Sequence, residues 1–466
     1  MKLKKLEITN FRCFESLSID LDEQLTVLVA KNGQGKSSVL DAIRIGLWPF
    51  VSGFDLARNP SNDRANSIHV DDVRLLKMRD GQMTRQLPCK ITLKGDYDIN
   101  LVDGEKFRKT WTWIRSRESE AKGTHTKDNR ISKLIKLLAT LAQHQIRKPE
   151  SPDTDLPILG YYGTGRLWSQ KRLTEDKKNK GKQDADFFMR LFAYRDCLDP
   201  ASSYKHFADW FTWIFESFRE QQIKQLETGI AFDGESTWKN TIQVVQQAID
   251  IFLHETTGWH SLEYSASHEN SLVLNHDQHG ALKVELLSDG IRSVLAMVGD
   301  IAYRCIKLNP HLGLNAAKET RGVIMIDEVD MHLHPAWQQT ILGNLIKAFP
   351  KIQFIVTTHS PQVISTVPGH QIRILDGNQV YSADEGTQGA EASRILKEVF
   401  GVDPRAQNLE IVKKLNRYLE LIDNDQWDTE EAIQLRQTLD EWSRGNEPEL
   451  IKADIDIRMM EFQRQL

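Results

Sequence analysis

The stretch from Leu25 to Trp48 restricts the fold more than any other. A short apolar run, Leu25 to Val29, passes directly into AKNGQGKS (Ala30 to Ser37), and a helical pattern, SVLDAIRIGLW, follows at once. Strand, glycine-bearing loop and helix at this spacing form a P-loop arrangement. The backbone N–H groups of Asn32 to Lys36 would converge on an anion at the positive end of the helix dipole. The candidate phosphate-binding set is therefore Asn32, Gly33, Gly35, Lys36, Ser37 and Ser38. Lys36 would reach the outer phosphates, and the Ser37 hydroxyl would ligate Mg²⁺. Ala30 stands where glycine is usual, which is tolerable if its φ is negative.

A second apolar run, Val323 to Ile326, reads as a strand buried on both faces of a parallel sheet and ends in Asp327 and Glu328. Ligands of open α/β sheets sit at the carboxyl ends of strands. Phosphoryl transfer needs one carboxylate near Mg²⁺ and another group to orient the attacking water, roles that suit Asp327 and Glu328 respectively. About thirty residues on, IQFIVTTHS (Ile352 to Ser360) is another buried strand, ending at His359. Upstream, strands are expected at Ser271 to Leu274 and Leu282 to Leu286, and LLSDGIRS then opens a helical pattern over Ile291 to Ile306. Ser288 and Gly290 make either a second anion site or a plain N-cap at Ser288 or Asp289.

At 466 residues with 40% hydrophobic and 27% charged content, the chain suits two or three soluble globular domains. A formal net charge of −5 argues against wholesale nucleic-acid binding while leaving room for a local basic groove. Four dispersed cysteines without a C-x-x-C pair suit a reducing cytosol. The opening MKLKKLEITNFRCF has no apolar signal core, and no run approaches the ~18 apolar residues of a membrane span. A cytoplasmic protein without membrane association is expected. A hairpin turn is expected at Asp103-Gly104, and the basic residues between Lys106 and Lys133 read as a solvated face. YYGTGRLWSQ is a tight loop offering Arg166 and Gln170, and RLTEDKKNKGKQ after it reads as a mobile surface loop. The aromatics from Tyr204 to Phe218 fall on a helical period and read as core rather than a base-stacking platform. Past Gly389 three apolar stripes (Leu409 to Leu419, Leu435 to Trp442, Ile451 to Phe462) mark amphipathic helices that must bury a face on the body or on another chain.

In order along the chain stand the Lys36–Ser37 loop, LSDG, Asp327–Glu328 and His359. That order resembles the ABC-class ATPase head, in the branch containing RecF and the SMC proteins, whose start the opening ITNFRCF is also similar to. The resemblance implies an α/β fold: a P-loop NTPase head of ABC type with a helical insertion and a C-terminal helical appendage. The boundaries expected are 1–115 with 271–388 for the head, 116–270 for a mostly helical inserted region, and 389–466 for a helical oligomerisation or partner-binding region. It further implies ATP and Mg²⁺ as cofactors, Glu328 and His359 as catalytic groups, and Ser37 with Asp327 as metal ligands. It implies a head-to-tail dimer in which Ser288 and Gly290 of one subunit contact the γ-phosphate bound to the other. The signature is LSDGI rather than LSGGQ, off-pattern at Asp289 and Ile291. His332 and His334 have an H-x-H spacing, read as a dimer-seam contact rather than a metal site.

The region between the P-loop and LSDG lacks sustained heptads, so a coiled-coil tether of SMC type is not expected. IDEVDMHLHP, TTHSPQVIS, YYGTGRLW and GAEASRILKEVFGVDPR look more like the AAA-type RecF-like ATPases of bacterial defence islands, close to the Septu PtuA group. This resemblance implies dimers or larger oligomers, control of a separate HNH-type nuclease subunit, and DNA or a retron nucleic acid as a possible further partner. The main alternative is a RecF-like DNA-repair or DNA-clamping ATPase acting directly on DNA. A scaffold using ATP only as glue would not require Glu328. No HNH-like cluster of histidines with Asn makes the chain itself a nuclease.

Overall fold

A computed structural model of the protein describes all residues except 59, 99–107, 123–125, 149–152, 167–184, 201–203, 229–236 and 465–466. The Asp103-Gly104 turn, Gln170 and the RLTEDKKNKGKQ stretch lie outside the described residues. The chain divides into two compact units, Met1–Ala392 and Ser393–Leu466.

The first unit is built on a six-stranded sheet. Its order is Gln379–Ser382, Ile372–Asp376, Leu25–Val29, Ile352–Thr357, Gly322–Ile326 and Ile158–Tyr162. All neighbours are parallel except the Gln379–Ser382 edge strand. Four of these strands are buried at every residue, which explains their continuous apolar runs. Parallel alignment brings the ends of the Ala30, Asp327, Thr358 and Gly163 strands to one edge. Ile158–Tyr162 comes from the stretch 116–270 and pairs with Gly322–Ile326 along its whole length.

The P-loop helix, Lys36–Val51, lies between this sheet and an antiparallel one formed by Phe14–Asp20, Lys2–Phe11, Cys89–Asp98, Arg108–Arg117 and Lys127–Asp128. A Cβ on Gly46 would fall 2.4 Å from Leu93 Cδ1 and force that side chain to shift, so glycine there lets the second sheet approach closely. Trp113 Nε1 donates to Gly46 O at 2.8 Å and Arg115 to Ile45 O at 2.7 Å, stitching the layers. Fully buried Gln353 joins the sheets: its amide donates to Leu3 O and Asp22 O, and its oxygen accepts from Leu3 N, each at 2.7 Å.

Helices Tyr204–Thr228 and Thr237–Thr257 bury Phe207, Trp210, Phe211 and Phe215, and Ile242, Val245, Ile249 and Phe252. These four aromatics are thus core, while Trp213 and Phe218 are half-buried. Trp210 meets Tyr303 edge-on with centroids 4.8 Å apart, on the helix Asp289–Leu308. A three-stranded antiparallel sheet, Trp259–Ser265, Ser271–His276 and Gly280–Lys283, delivers the chain to that helix. The strand expected at Leu282 to Leu286 stops at Lys283, and Val284–Leu286 form a 3₁₀ turn. The four ladder residues Gly280 to Lys283 end where the chain swings toward the Ser288 cap.

The second unit contains helices Glu410–Asp423, Glu430–Ser443 and Pro448–Arg464 around Leu415, Tyr418, Leu421, Ile422, Leu439 and Leu450. Arg405 forms a forked pair with Glu447 at 2.7 and 3.0 Å. Ile451, Ile455 and Phe462 stay exposed, so this stripe is not core within the chain. Among the described residues, no helix is long and apolar enough to cross a membrane.

Candidate active site

The P-loop turns on two left-handed glycines, Gly33 at φ 80° and Gly35 at φ 89°. At Gly35 a side chain is excluded twice over: its Cβ would lie 2.5 Å from Phe14 Cζ and 2.6 Å from Cys13 Sγ. The Phe11–Phe14 turn thus supports the loop from beneath. Arg12 fastens that turn through Asp41 on the P-loop helix (2.6 Å) and Asp72 (2.9 Å). Asn32 and Gly33 are exposed, and Ser38 is half-buried. Lys36 is buried with its ammonium folded back onto Ala30 O at 3.0 Å. Burial lowers its pKa, opposed by the charges of Asp327, Glu328 and Asp330.

Ser37 Oγ donates to Asp327 Oδ2 at 2.8 Å, bringing together residues 290 positions apart. The other oxygen, Oδ1, accepts from the Thr357 hydroxyl at 2.6 Å. Thr357 Oγ1 also accepts the Glu328 N–H at 2.8 Å, and so links the two acidic residues. Thr357 was not singled out in the sequence. Its only mark there is a polar residue closing an apolar strand, and its role follows from that strand lying between those that end in Ala30 and Asp327. Glu328 itself is left-handed, φ 48°, in a region that costs a non-glycine residue of order 1–3 kcal/mol. Two hydrogen bonds hold it there: Glu328 N–H to Thr357, and Val329 N–H to Thr357 O at 2.9 Å.

His359 is half-buried at the end of the same strand. Burial lowers its pKa, Lys36 lowers it further, and Asp330, Glu328 and Asp327 push the other way. The net direction keeps the imidazole neutral. Beside it, Thr358 donates to Asp330 at 2.5 Å and Ser360 to Gln338 at 2.7 Å, fixing the loop after Glu328.

Ser288 and Gly290 lie elsewhere. Ser288 caps the helix Asp289–Leu308 by accepting the Ile291 N–H at 3.5 Å and is itself exposed. Gly290 is buried against the loop after Glu328, where a Cβ would sit 2.7 Å from His332 O. Among the described residues, no hydrogen bond joins Ser288 or Gly290 to the P-loop. His334 Nδ1 accepts the Ala336 N–H at 3.3 Å as a helix cap. A further tie went unread in the sequence. Tyr162 donates to Asp300 at 2.8 Å, and Arg304 Nε donates to the same oxygen at 2.7 Å with both ion-pair partners almost wholly buried. This network clamps the Ser288 helix to the edge strand of the main sheet. Gly163 and the turn Thr164–Arg166 start from that strand's carboxyl end.

Residues 5–250, more than half of the chain, match the family described as AAA domain. The chain belongs to the AAA-domain ATPases. Residues 191–365 match a second family, described as "AAA domain, putative AbiEii toxin, Type IV TA system". Along most of its length the ATPase is similar to the "Retron Ec83 probable ATPase" of Escherichia coli, 27% identical over 98% of this chain and 86% of that protein. It is 29% identical to the "Septu protein PtuA" of Bacillus thuringiensis over 28% of this chain and 35% of that one. It is 40% identical to the "DNA replication and repair protein RecF" of Oceanobacillus iheyensis over 20% of this chain and 25% of that one. The protein is thus an AAA-domain ATPase with partial similarity to RecF.

Proposed function

We propose that this ATPase closes head to tail around ATP as a dimer or larger oligomer and governs a separate HNH-type nuclease in anti-phage defence. One observation carries the first half. Ser288 is exposed beside Gly290, which packs on the His332 backbone, and among the described residues neither is bonded to the P-loop, which leaves Ser288 open to another chain. A lone P-loop leaves the γ-phosphate open on one side, and a second helix terminus supplies donors where charge develops.

In this reading the N–H groups of Asn32 to Lys36 hold the triphosphate, and the Lys36 ammonium turns from Ala30 O to the outer phosphates. Ser37 Oγ and the Asp327 carboxylate form an all-oxygen donor pair that fits a hard divalent cation and would hold Mg²⁺. When bound, Mg²⁺ neutralises charge on the phosphates. Thr357 orients the Asp327 carboxylate. Glu328, positioned by its bond to Thr357, takes the proton of the attacking water, and neutral His359 hydrogen-bonds toward the γ-phosphate. Ser288 and Gly290 of the second subunit close the pocket.

The nuclease half of the proposal rests on the resemblance to the Septu and retron ATPases. Affinity purification of the Glu328→Gln variant from its native host tests it: an HNH nuclease should co-purify in stoichiometric amount. Assembled oligomers without any nuclease would contradict it. The short similarity to RecF favours, as a second reading, direct clamping of DNA. That reading requires DNA affinity that falls steeply with salt and rises with ATP in the chain alone.

A further inference from the structure

Helix Thr237–Thr257 ends beside the hairpin that leads to Ser288. Gly258, left-handed at φ 74°, makes the turn, and a Cβ there would lie 2.8 Å from His276 Nε2. Trp259 pairs with His276 and His260 with Asn275, which sets the register of the facing strands. Three side chains consequently converge: His254 from the last helical turn, His260 from the first strand, and Asp277 from just past the second. Asp277 Oδ1 is 3.2 Å from His260 Nε2, and Oδ2 is 3.5 Å from His254 Nε2. One donor atom from each residue lies within 4.8 Å of the others.

We propose that His254, His260 and Asp277 bind a divalent transition cation of the zinc class. The donor set of two imidazoles and a carboxylate suits such a cation and not Mg²⁺, which prefers oxygen throughout. Bonds of about 2.0–2.1 Å in tetrahedral geometry set neighbouring donors about 3.3–3.4 Å apart. His260 Nε2 lies 3.2 Å from Asp277 Oδ1 and His254 Nε2 3.5 Å from Oδ2, each near that spacing to one of the two carboxylate oxygens. The three donor atoms now lie within 4.8 Å of one another, and closing to that spacing falls to the exposed His254 side chain.

The surroundings support the ligands. His260 Nδ1 is hydrogen-bonded to Ser261 Oγ at 2.9 Å, which frees Nε2 to face Asp277. The Ser261 backbone is fixed in turn by donating to Asp250 Oδ1 at 2.8 Å. Nearby His276 is excluded from the set. Its Nε2 meets Thr257 O at 2.9 Å, and its Nδ1 accepts the N–H groups of Gln278 and His279 at 3.0 and 3.3 Å. Without a cation, Asp277 would take an Nε2–H from each ring, the two ring centroids lying 4.8 Å apart. A cation binds both rings in their neutral form. Bound there, it would staple the helix Thr237–Thr257 to the sheet that carries the chain to Ser288.

The test uses the full chain without a polyhistidine tag, stripped with chelator and titrated with Zn²⁺ by calorimetry and with Co²⁺ by visible absorption. One Zn²⁺ per chain and a tetrahedral Co²⁺ spectrum are expected. His260→Ala and Asp277→Ala should each weaken binding at least about 100-fold, and Ser261→Ala, outside the ligand set, about 10–100-fold. His254→Ala, at a side chain 53% exposed, should do as much as the other ligand changes without disturbing the fold. His279→Ala should change nothing. Absence of stoichiometric Zn²⁺ binding, or binding retained in His260→Ala and His254→Ala, would overturn the assignment.

Discussion

The ATPase carries two helix N-termini of opposite design. The terminus at Lys36 is capped by left-handed Gly35, with no side-chain cap and no acid in its first turn, so its N–H groups stay unspent. The terminus at Asp289 has its Ile291 N–H taken by Ser288 and a carboxylate as its first residue, paired with Arg292. One is ready for an anion as folded; the other has one N–H already taken and an acid, paired with Arg292, at its start. A carboxylate on a helix N-terminus stabilises the free helix through the dipole but repels an incoming phosphate. The contrast fits a molecule that binds nucleotide in one chain and completes the pocket only on closure.

Several substitutions would break or sharpen that contrast. Glu328→Gln should lower ATP turnover by about 10²–10⁴-fold while nucleotide stays bound, as single-turnover kinetics would reveal. Equal loss of binding would place Glu328 in the binding set instead. Lys36→Ala, which removes the charge at the ready terminus, should cost about 10²–10³-fold in nucleotide affinity, measured with a fluorescent analogue. Arg304→Ala leaves Asp300 buried without its cation and should destabilise the first unit by about 3–5 kcal/mol in urea unfolding. The same change should slow turnover, since it loosens the Ser288 helix from the sheet. Asp289→Asn acts at the opposing terminus and should tighten ATP-dependent self-association only about 2–5-fold, by the dipole energy involved. Sedimentation at matched ionic strength would detect it.

His359 adds a pH signature. Its pKa is depressed below the ordinary imidazole value by burial and by Lys36, so it gains a proton only at lower pH than a free histidine. Turnover that needs the neutral ring should hold through the usual histidine range as pH falls and decline below it. In His359→Gln that acidic decline should vanish from the profile.

Local motifs made one part of this molecule legible before any fold was known. Gly33, Gly35, Lys36 and Ser37 are consecutive or nearly so, and the apolar runs before Ala30 and Asp327 announce buried parallel strands. Thr357 could not be read in that way, because its two bonds exist only once Ile352–Thr357 is placed between the other two strands. Ile158–Tyr162 was missed as a sheet member for a similar reason. Its partner, Gly322–Ile326, is far along the chain, and the run is as short as many loop segments. The Tyr162–Asp300–Arg304 network is equally non-local, and on a helical pattern Asp300 and Arg304 look like an ordinary i,i+4 surface pair. Periodicity correctly announced the helices of the second unit. It could not say that Ile451, Ile455 and Phe462 would face solvent, since a stripe has the same spacing whatever covers it.

Complementation between two inactive variants tests shared closure most directly. Lys36→Ala loses the ready terminus and Ser288→Arg the opposing one, so neither alone should turn over ATP. In an equal mixture about half the dimers are mixed, each with one pocket built from intact halves, and turnover should recover to about a quarter of the wild-type rate. A mixture no more active than the sum of its two components would show that each chain works by itself.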